Sequence, residues 1–343
     1  MRLAEWLMTV TRRYFLYKKI SPKNKAILIT GCDSGFGHML AQRMDKLGYF
    51  VFAGCLLPES DGAKKLLDSC SERLKVVPLN VTSDDSIQKA KAFVEQHLKQ
   101  NDLWAIVNNA GISQSGEVDW TPVDEFRKVF EVNTFGMLQV TKTFLPFVKR
   151  CKGRIVNNTS ICGRFICPGY VGYCMSKSAA VSFTTGLRVE MMKWGVKVSS
   201  IEAFFYSTPL TQAQATFDLM ESTWNKASPD IRSEYGESYK MAFKESCRKV
   251  LARASHKVYE VLDCFEDAIT AHEPLPSYFP CYLPEKFGLK FLFALPSAVT
   301  EMYQASLLAE GAKPEAVKKA KCANKVSAAT PDFNECNDAN IFP

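Results

Sequence analysis

The sequence predicts an α/β fold: a doubly wound, mostly parallel sheet covered on both faces, with a helical lid over one end. Three observations predict it. Short apolar runs recur from Lys25 onward, and stretches of helical periodicity separate them. Parallel strands need crossovers of helix length between them, and this alternation supplies them. A glycine turn, "ITGCDSGFG" (29–37), joins the first apolar run to the first helical stretch.

The elements follow in order. "KAILIT" (25–30) reads as a buried strand, and "HMLAQRMDKLG" (38–48) as a helix that stops at Gly48. "YFVFAGCL" (49–56) and "LKVVPLNV" (74–81) are the second and third strands. "DDSIQKAKAFVEQHLK" (84–99) has helical spacing, and "DLWAIVNNAG" (102–111) is a strand entering an asparagine-glycine turn. Residues 123–149 read as mainly helix, "GRIVNNTS" (153–160) as strand, 170–194 as a long helix and "VKVSSIEAFF" (196–205) as strand. Residues 209–276 are polar and helix-prone with no clear strand. In a doubly wound fold they lie beyond the C-terminal edge of the sheet, where substrates bind.

Composition narrows the function classes. The 343 residues are 47% hydrophobic and 23% charged, enough for a large core and unlike a disordered chain. The net charge of +7 comes from no dense basic block. It suits an anionic cofactor or a lipid surface and gives no sign of nucleic acid recognition. Twelve cysteines contain no C-x-x-C pair and the four histidines are scattered, which argues against zinc and for a reducing compartment. The opening "MRLAEWLMTVTRRYFLYKKI" (1–20) is too short, and too interrupted by Arg12 and Arg13, to span a bilayer. Its helical spacing of apolar residues fits an interfacial helix, a mitochondrial targeting segment or an arm packed on its own domain. "FGLKFLFALPSAV" (287–299) reads as core or, with that first helix, as a membrane-facing patch.

Two motifs carry chemistry. Gly31, Gly35 and Gly37 stand between a strand and a helix N-terminus, whose unpaired N–H groups can hold a phosphate that glycine lets approach. An acid about twenty residues on would bind the adenosine ribose of NAD. Here that strand ends in Ala53-Gly54-Cys55, with neither the acid nor an arginine for NADP, and NAD is placed ahead of NADP. In "YVGYCMSK" (170–177), Tyr173 and Lys177 are one helical turn apart on one face. A cation beside a phenol lowers its pKa and prepares it for proton transfer to an alcohol or ketone oxygen. A Y-x-x-x-K pair alone recurs by chance in many helices.

Together these motifs resemble the short-chain dehydrogenase/reductase family, in the branch of retinol, 17β-hydroxysteroid and mitochondrial 3-hydroxybutyrate dehydrogenases. The resemblance covers roughly residues 25–303 and is carried by Thr30 with its glycine turn, "NNAG" (108–111), Asn133 in "EVNTFG", Ser160 in "NNTS", and Tyr173 with Lys177. It implies a single-domain Rossmann-type fold. It also implies that Tyr173 exchanges the proton and Ser160 hydrogen-bonds the substrate oxygen. Lys177 would bind the nicotinamide ribose and depress Tyr173, and Asn133 would hold a relay water. The cofactor would be lined by Thr30, Gly31, Ser34, Gly35, Phe36 and Gly37 of the turn, by Cys55, Asn80 and Val81, by Asn108, Asn109, Ala110 and Gly111, and by Thr208. The implied organisation is an amphipathic segment (1–22), a dinucleotide-binding and catalytic core (23–208), a substrate lid (209–276), a C-terminal completion of the core (277–310) and a flexible tail (311–343). Family members assemble as homodimers or homotetramers through the long helices, and the same is expected here.

One departure stands out. The family's Glu-Pro-Gly after the sixth strand is here Glu202-Ala203-Phe204, with Thr208 kept in its place. The basic residue with which hydroxybutyrate dehydrogenases grip their carboxylate is replaced by Tyr170. With Phe165, Ile166, Phe204, Phe205 and Tyr206 nearby, the expected substrate is a small lipophilic secondary alcohol or ketone, a steroid ahead of a retinoid. The alternatives are 3-hydroxybutyrate, with a cation from Lys226, Arg232 or Lys240 of the lid, and a catalytically weak scaffold or lipid-binding protein. The expected location is the endoplasmic reticulum with peripheral membrane contact, or else the mitochondrion.

Overall fold

A computed structural model describes residues 18–280, 288, 291, 295–306 and 312–320. The amphipathic segment over 1–17, most of 281–294 and the tail from 321 lie outside the described residues. Seven parallel strands form one sheet in the order β3-β2-β1-β4-β5-β6-β7. They are β1 (Lys25–Thr30), β2 (Phe50–Cys55), β3 (Leu74–Pro78), β4 (Asp102–Asn108), β5 (Arg154–Asn158), β6 (Lys197–Ile201) and β7 (Ser277–Tyr278). The order reverses at β1, which pairs with β2 on one side and β4 on the other. A doubly wound sheet opens its ligand crevice at such a reversal, beyond the carboxyl ends of the strands.

The apolar alternation of β1 sends side chains to both faces. Ile27 and Ile29 join one core with Val51, Val107 and Phe265, while Ala26 and Leu28 join the other with Phe52, Val140 and Phe144. Helices α1 (Gly35–Lys46), α2 (Asp61–Ser69) and α3 (Asp84–Leu98) link the first strands. Helix α1 ends where Gly48 turns the chain at φ +91°. The predicted helix over 123–149 is three pieces: α4 (Val123–Phe130), a π turn (Glu131–Gly136) and α5 (Met137–Arg150). A π turn inside a helix is rare and concentrates at functional sites, and this one carries Asn133. Helix α6 (Val171–Met191) follows β5.

After β6 come α7 (Ala213–Lys226), α8 (Pro229–Tyr235), α9 (Glu237–Leu251) and α10 (Tyr259–Thr270). The first three build a separate aromatic cluster in which Trp120 meets Trp224, Tyr235 and Phe243 edge to face. Helix α10 differs from the expected lid. Its Val261, Phe265, Ala268 and Ile269 are fully buried in the sheet core, so the polar face of this segment hid a core helix. The two-residue strand β7 was too short and proline-flanked to show a period.

The expectation of membrane association at the endoplasmic reticulum is corrected here. Among the described residues no helix is long and apolar enough to cross a membrane. The longest, α6, carries Lys177, Arg188 and Glu190 and is spent on packing between the sheet and its neighbours.

Phe265 sits at 0% exposure on the sheet side of α10. Phe265→Ala is expected to cost about 3–5 kcal/mol, read as a lower urea midpoint with unchanged denaturant slope.

Candidate active site

The crevice is built from the ends of β1 and β4. Thr30 Oγ1 accepts the backbone N–H groups of Asn109 (3.0 Å) and Ala110 (2.9 Å), and Asn109 Nδ2 donates to the Thr30 carbonyl (2.8 Å). Gly31, at φ +70°, leaves no room for a side chain: a Cβ there would stand 2.9 Å from Ala110 Cα. A Cβ on Gly37 would fall 2.3 Å from the Gly31 carbonyl oxygen. Helix α1 therefore starts hard against the turn. Ser34 occupies its N-cap without a side-chain cap bond, and no acid lies in the first turn. Open N–H groups, missing side chains and the dipole's positive end together fit an anion such as a pyrophosphate. Phe36 packs its ring edgewise on Tyr206, and Thr208 and Pro209 approach Gly35 from the other side.

The end of β2 has an acid from an unexpected place. Asp33, inside the glycine turn, accepts the N–H groups of Leu56 (2.9 Å) and Leu57 (2.8 Å), just beyond Cys55 at the end of β2. Its carboxylate is thus fixed where the strand itself offers none. Reading along β2 alone missed it, although Asp33 stands in the same motif. Asn80 Oδ1 accepts from the Thr82 N–H and hydroxyl, and Val81 packs against Gly136 of the π turn.

Tyr173 and Lys177 lie on α6, one turn apart; Tyr173 is half-buried and lines an inner chamber, while Lys177 is buried behind it. Ser160 ends the segment after β5, and its Oγ accepts the Cys162 N–H at 3.1 Å. Burial pushes the Tyr173 phenol above its ordinary value, only partly offset by its bond to Ser160. The expected depression by Lys177 is absent. The lysine Nζ donates to the Asn158 carbonyl (2.9 Å) and stands 5.7 Å from the centre of the tyrosine ring. Burial lowers Lys177 itself to about 8. Asn133 is fully buried, with Nδ2 donating to the Ile112 carbonyl (2.9 Å) and Ser176 Oγ (3.0 Å), while Oδ1 accepts the Ile112 N–H (2.9 Å). Asn133 thus shapes the loop after β4. A Cβ on Gly111 would meet Asn133 Oδ1 at 3.3 Å and Lys177 Nζ at 3.6 Å, so the bare glycine keeps that corner open. Asn108 lies behind, bonded to Thr141 and Asn157.

An inner chamber of about 70 Å³ touches Ser160, Tyr173, Cys162, Cys167, Tyr170 and the Phe204–Phe205 pair. An outer one of about 330 Å³ lies towards α4 and α7. Ser113, Leu210 and Thr216 line both, so the two chambers adjoin. The lid cations do not reach them. Lys226 pairs with Glu125 (2.5 Å) and Lys240 with Glu237 (2.8 Å), while neither these nor Arg232 lines a chamber. Lys128 on α4 does line the outer chamber, and sequence reasoning missed it.

A glycine cradle fit for a phosphate at the sheet reversal, joined to a Ser160, Tyr173 and Lys177 constellation, fits a nicotinamide-dependent oxidoreductase. The short chain dehydrogenase family profile matches residues 25–218, and the chain belongs to that family. Retinol dehydrogenase 16 of Mus musculus is 38% identical over 79% of this chain and 86% of its own length. Estradiol 17-beta-dehydrogenase 2 of Mus musculus is 38% identical over 80% and 74%. The mitochondrial D-beta-hydroxybutyrate dehydrogenase of Rattus norvegicus is 35% identical over 85% and 87%. A solved short chain dehydrogenase/reductase from Burkholderia phymatum in complex with NAD shares the fold, with TM-score 0.64 at 22% identity over 80% of this chain and 94% of its own. The protein is an NAD(P)-dependent dehydrogenase/reductase of the short-chain family.

Lys177 gives this site a pH signature. Below about 8 the lysine is charged in both folded and unfolded chains, and burying the charge costs stability. Between about 8 and the ordinary 10.5 the folded chain loses the proton first, so stability from this group rises with pH. Urea titrations from pH 7.5 to 10 should show the stability advantage of Lys177→Met over the native chain shrinking as pH rises; a constant difference would mean the ammonium is not desolvated.

Proposed function

We propose that Tyr173 is the proton-transferring residue, that Ser160 holds the substrate oxygen beside it, and that NAD is the preferred cofactor. The meeting of Tyr173 and Ser160 on the wall of the inner chamber carries that first assignment. The half-buried phenol of Tyr173 is protonated at neutral pH and can donate to a carbonyl oxygen in the chamber, and Ser160 is bonded to the same phenol. When bound, the nicotinamide supplies or receives the hydride. Lys177, held by the Asn158 carbonyl at the corner left open by Gly111, offers its ammonium towards the ribose side and replenishes the proton. Asn133 acts as a positioning residue through Ile112. Gly31, Gly35, Gly37 and Thr208 frame the cofactor cradle. The Asp33 carboxylate at the end of β2 would accept from an adenosine ribose and repel a 2′-phosphate, which supports NAD.

For the substrate, the aromatic wall of Tyr170, Phe204 and Phe205 supports a ring-bearing secondary alcohol or ketone such as a steroid, its reacting end in the inner chamber and its body in the outer one. A second reading has specific support. Two hydroxybutyrate dehydrogenases match over 300 residues, further than the retinol and estradiol enzymes at 274 and 285. The comparisons lean to this reading. An inner chamber of about 70 Å³ also favours a short substrate, and Lys128 offers a cation in the adjoining chamber. Those relatives are named as mitochondrial.

A turnover panel of estradiol, retinol and 3-hydroxybutyrate with each cofactor separates the readings. Steroid turnover at least tenfold more efficient than the others is expected; hydroxybutyrate as best substrate would replace it. With whichever substrate is turned over, Tyr173→Phe should lower kcat by about 10²-fold or more while NADH affinity stays within a few-fold. Loss of NADH binding in that variant would make the phenol structural. Fluorescence titration should show tighter binding of NADH than NADPH, and Asp33→Asn should narrow the ratio at least several-fold; an unchanged ratio removes Asp33 from cofactor choice.

A further inference from the structure

Three thiols crowd the wall of the inner chamber, and the proposed mechanism uses none of them. Cys162 and Cys167 both line it, with their sulfurs 3.7 Å apart. The sulfur of Cys174 accepts the Cys167 N–H at 3.3 Å. Two sulfurs at 3.7 Å are already in van der Waals contact. A disulfide needs them at about 2.05 Å, so each moves by less than about 1 Å. Cys167 is half-buried and the other two are buried, so a small oxidant reaches Cys167 through the chamber itself.

We propose that Cys162 and Cys167 form a reversible oxidation site, in which a peroxide entering the substrate chamber joins them as a disulfide and stops turnover. In the first step the Cys167 thiolate attacks one peroxide oxygen. The O–O bond breaks, the other oxygen leaves as hydroxide and takes up the thiol's proton as water, and the sulfur becomes a sulfenic acid. The Cys162 sulfur then attacks that sulfur. The S–S bond forms, the S–O bond breaks, and the oxygen leaves as a second water with the Cys162 proton. The sulfur pair is oxidised by two electrons and the peroxide is reduced by two. The bond acts on the site through Cys162, whose N–H is held by Ser160 Oγ at 3.1 Å. Drawing Cys162 towards Cys167 moves the turn that fixes Ser160 and closes a chamber of about 70 Å³. The thiols of Cys162 and Cys174, and then burial, hold Cys167 well above its ordinary value, while Cys162 and Cys167 hold Cys174 down to about 4; the Cys162–Cys167 pair is distinguished by its sulfur contact and its place on the chamber wall, not by acidity.

The sequence makes the linkage easy to read. Trypsin cuts after Arg154, Arg164 and Lys177, which places Cys162 in one peptide (155–164) and Cys167 with Cys174 in the next (165–177). The full-length protein is treated with hydrogen peroxide, alkylated unfolded, digested without reductant and mapped by mass spectrometry. The expected product is the two peptides joined minus two hydrogens, with fragment ions placing the bond at Cys167 and dithiothreitol removing it. Turnover should fall at least tenfold and return with dithiothreitol. Cys167→Ser, compared with its own untreated activity, should keep most of it after peroxide. Unlinked peptides, a bond through Cys174, or a linked protein with unimpaired turnover would each overturn the proposal. The loss of turnover rests on the proposed function, whereas the linkage is read without substrate, so the two failures are told apart.

Discussion

A run of hydrogen bonds joins the glycine turn to Lys177, and the geometry of the whole site depends on it. Asn109 Nδ2 donates to the Thr30 carbonyl (2.8 Å), Asn158 Nδ2 donates to Asn109 Oδ1 (3.0 Å), and Lys177 Nζ donates to the Asn158 carbonyl (2.9 Å). Three amide or ammonium groups thus span β1, β4, β5 and α6. The register that pairs Asn108 with Asn157 sets the two strand ends level, so the following asparagines can meet. Behind them Asn108 donates to Asn157, and Asn157 to Thr184, tying the same strands to α6 a second time. Such a buried network resists piecemeal change, because removing one member leaves its neighbour desolvated and unpaired. It places the glycine turn and the Tyr173–Lys177 helix in one frame rather than on separate loops.

The same burial that rigidifies this frame sets its charges. Desolvation acts against whichever form is ionised, so it raises Tyr173 and lowers Lys177 from their ordinary values. Both residues are pushed towards neutrality by one cause. The phenol therefore holds its proton across neutral pH. An ammonium has three N–H donors, so the one Lys177 gives to the Asn158 carbonyl leaves two for a bound group, with the nitrogen 5.7 Å from the ring centre.

Most of the frame was legible in the sequence because it is written in period and punctuation. Buried strands flanked by glycine turns, and motifs in fixed order, gave the sheet, the cradle and the placement of Ser160, Tyr173 and Lys177 together. What was hidden depended on contacts distant in the chain. The π turn reads as continuous helix until Asn133 is seen bonded to Ile112, twenty-one residues away. Helix α10 looked like lid because its charged residues, among them Glu266 bonded to Lys19 and Arg43, mask a buried apolar face. The acid at the end of β2 comes from Asp33 across the turn, and no reading along one strand finds it.

The loop after β6 shows how a broken motif is absorbed. Glu202 has no exposed side chain and is clamped by both guanidinium arms of Arg164, with Ser200 donating to the same carboxylate (3.0 Å). Its neighbours are held from opposite sides: the Ala203 carbonyl accepts the Ile161 N–H (3.1 Å), and the Phe204 N–H donates to the Pro280 carbonyl (3.3 Å). With the backbone fixed by these partners, the loop has no need of a proline to stiffen it. The Phe204 ring then turns into the substrate chamber and meets Phe205 edge to face at 5.2 Å. The side chain that glycine would have omitted has become part of the substrate wall. It stands on the same chamber wall as Tyr173 and Ser160, so a group that reaches those two residues must pass an aromatic face.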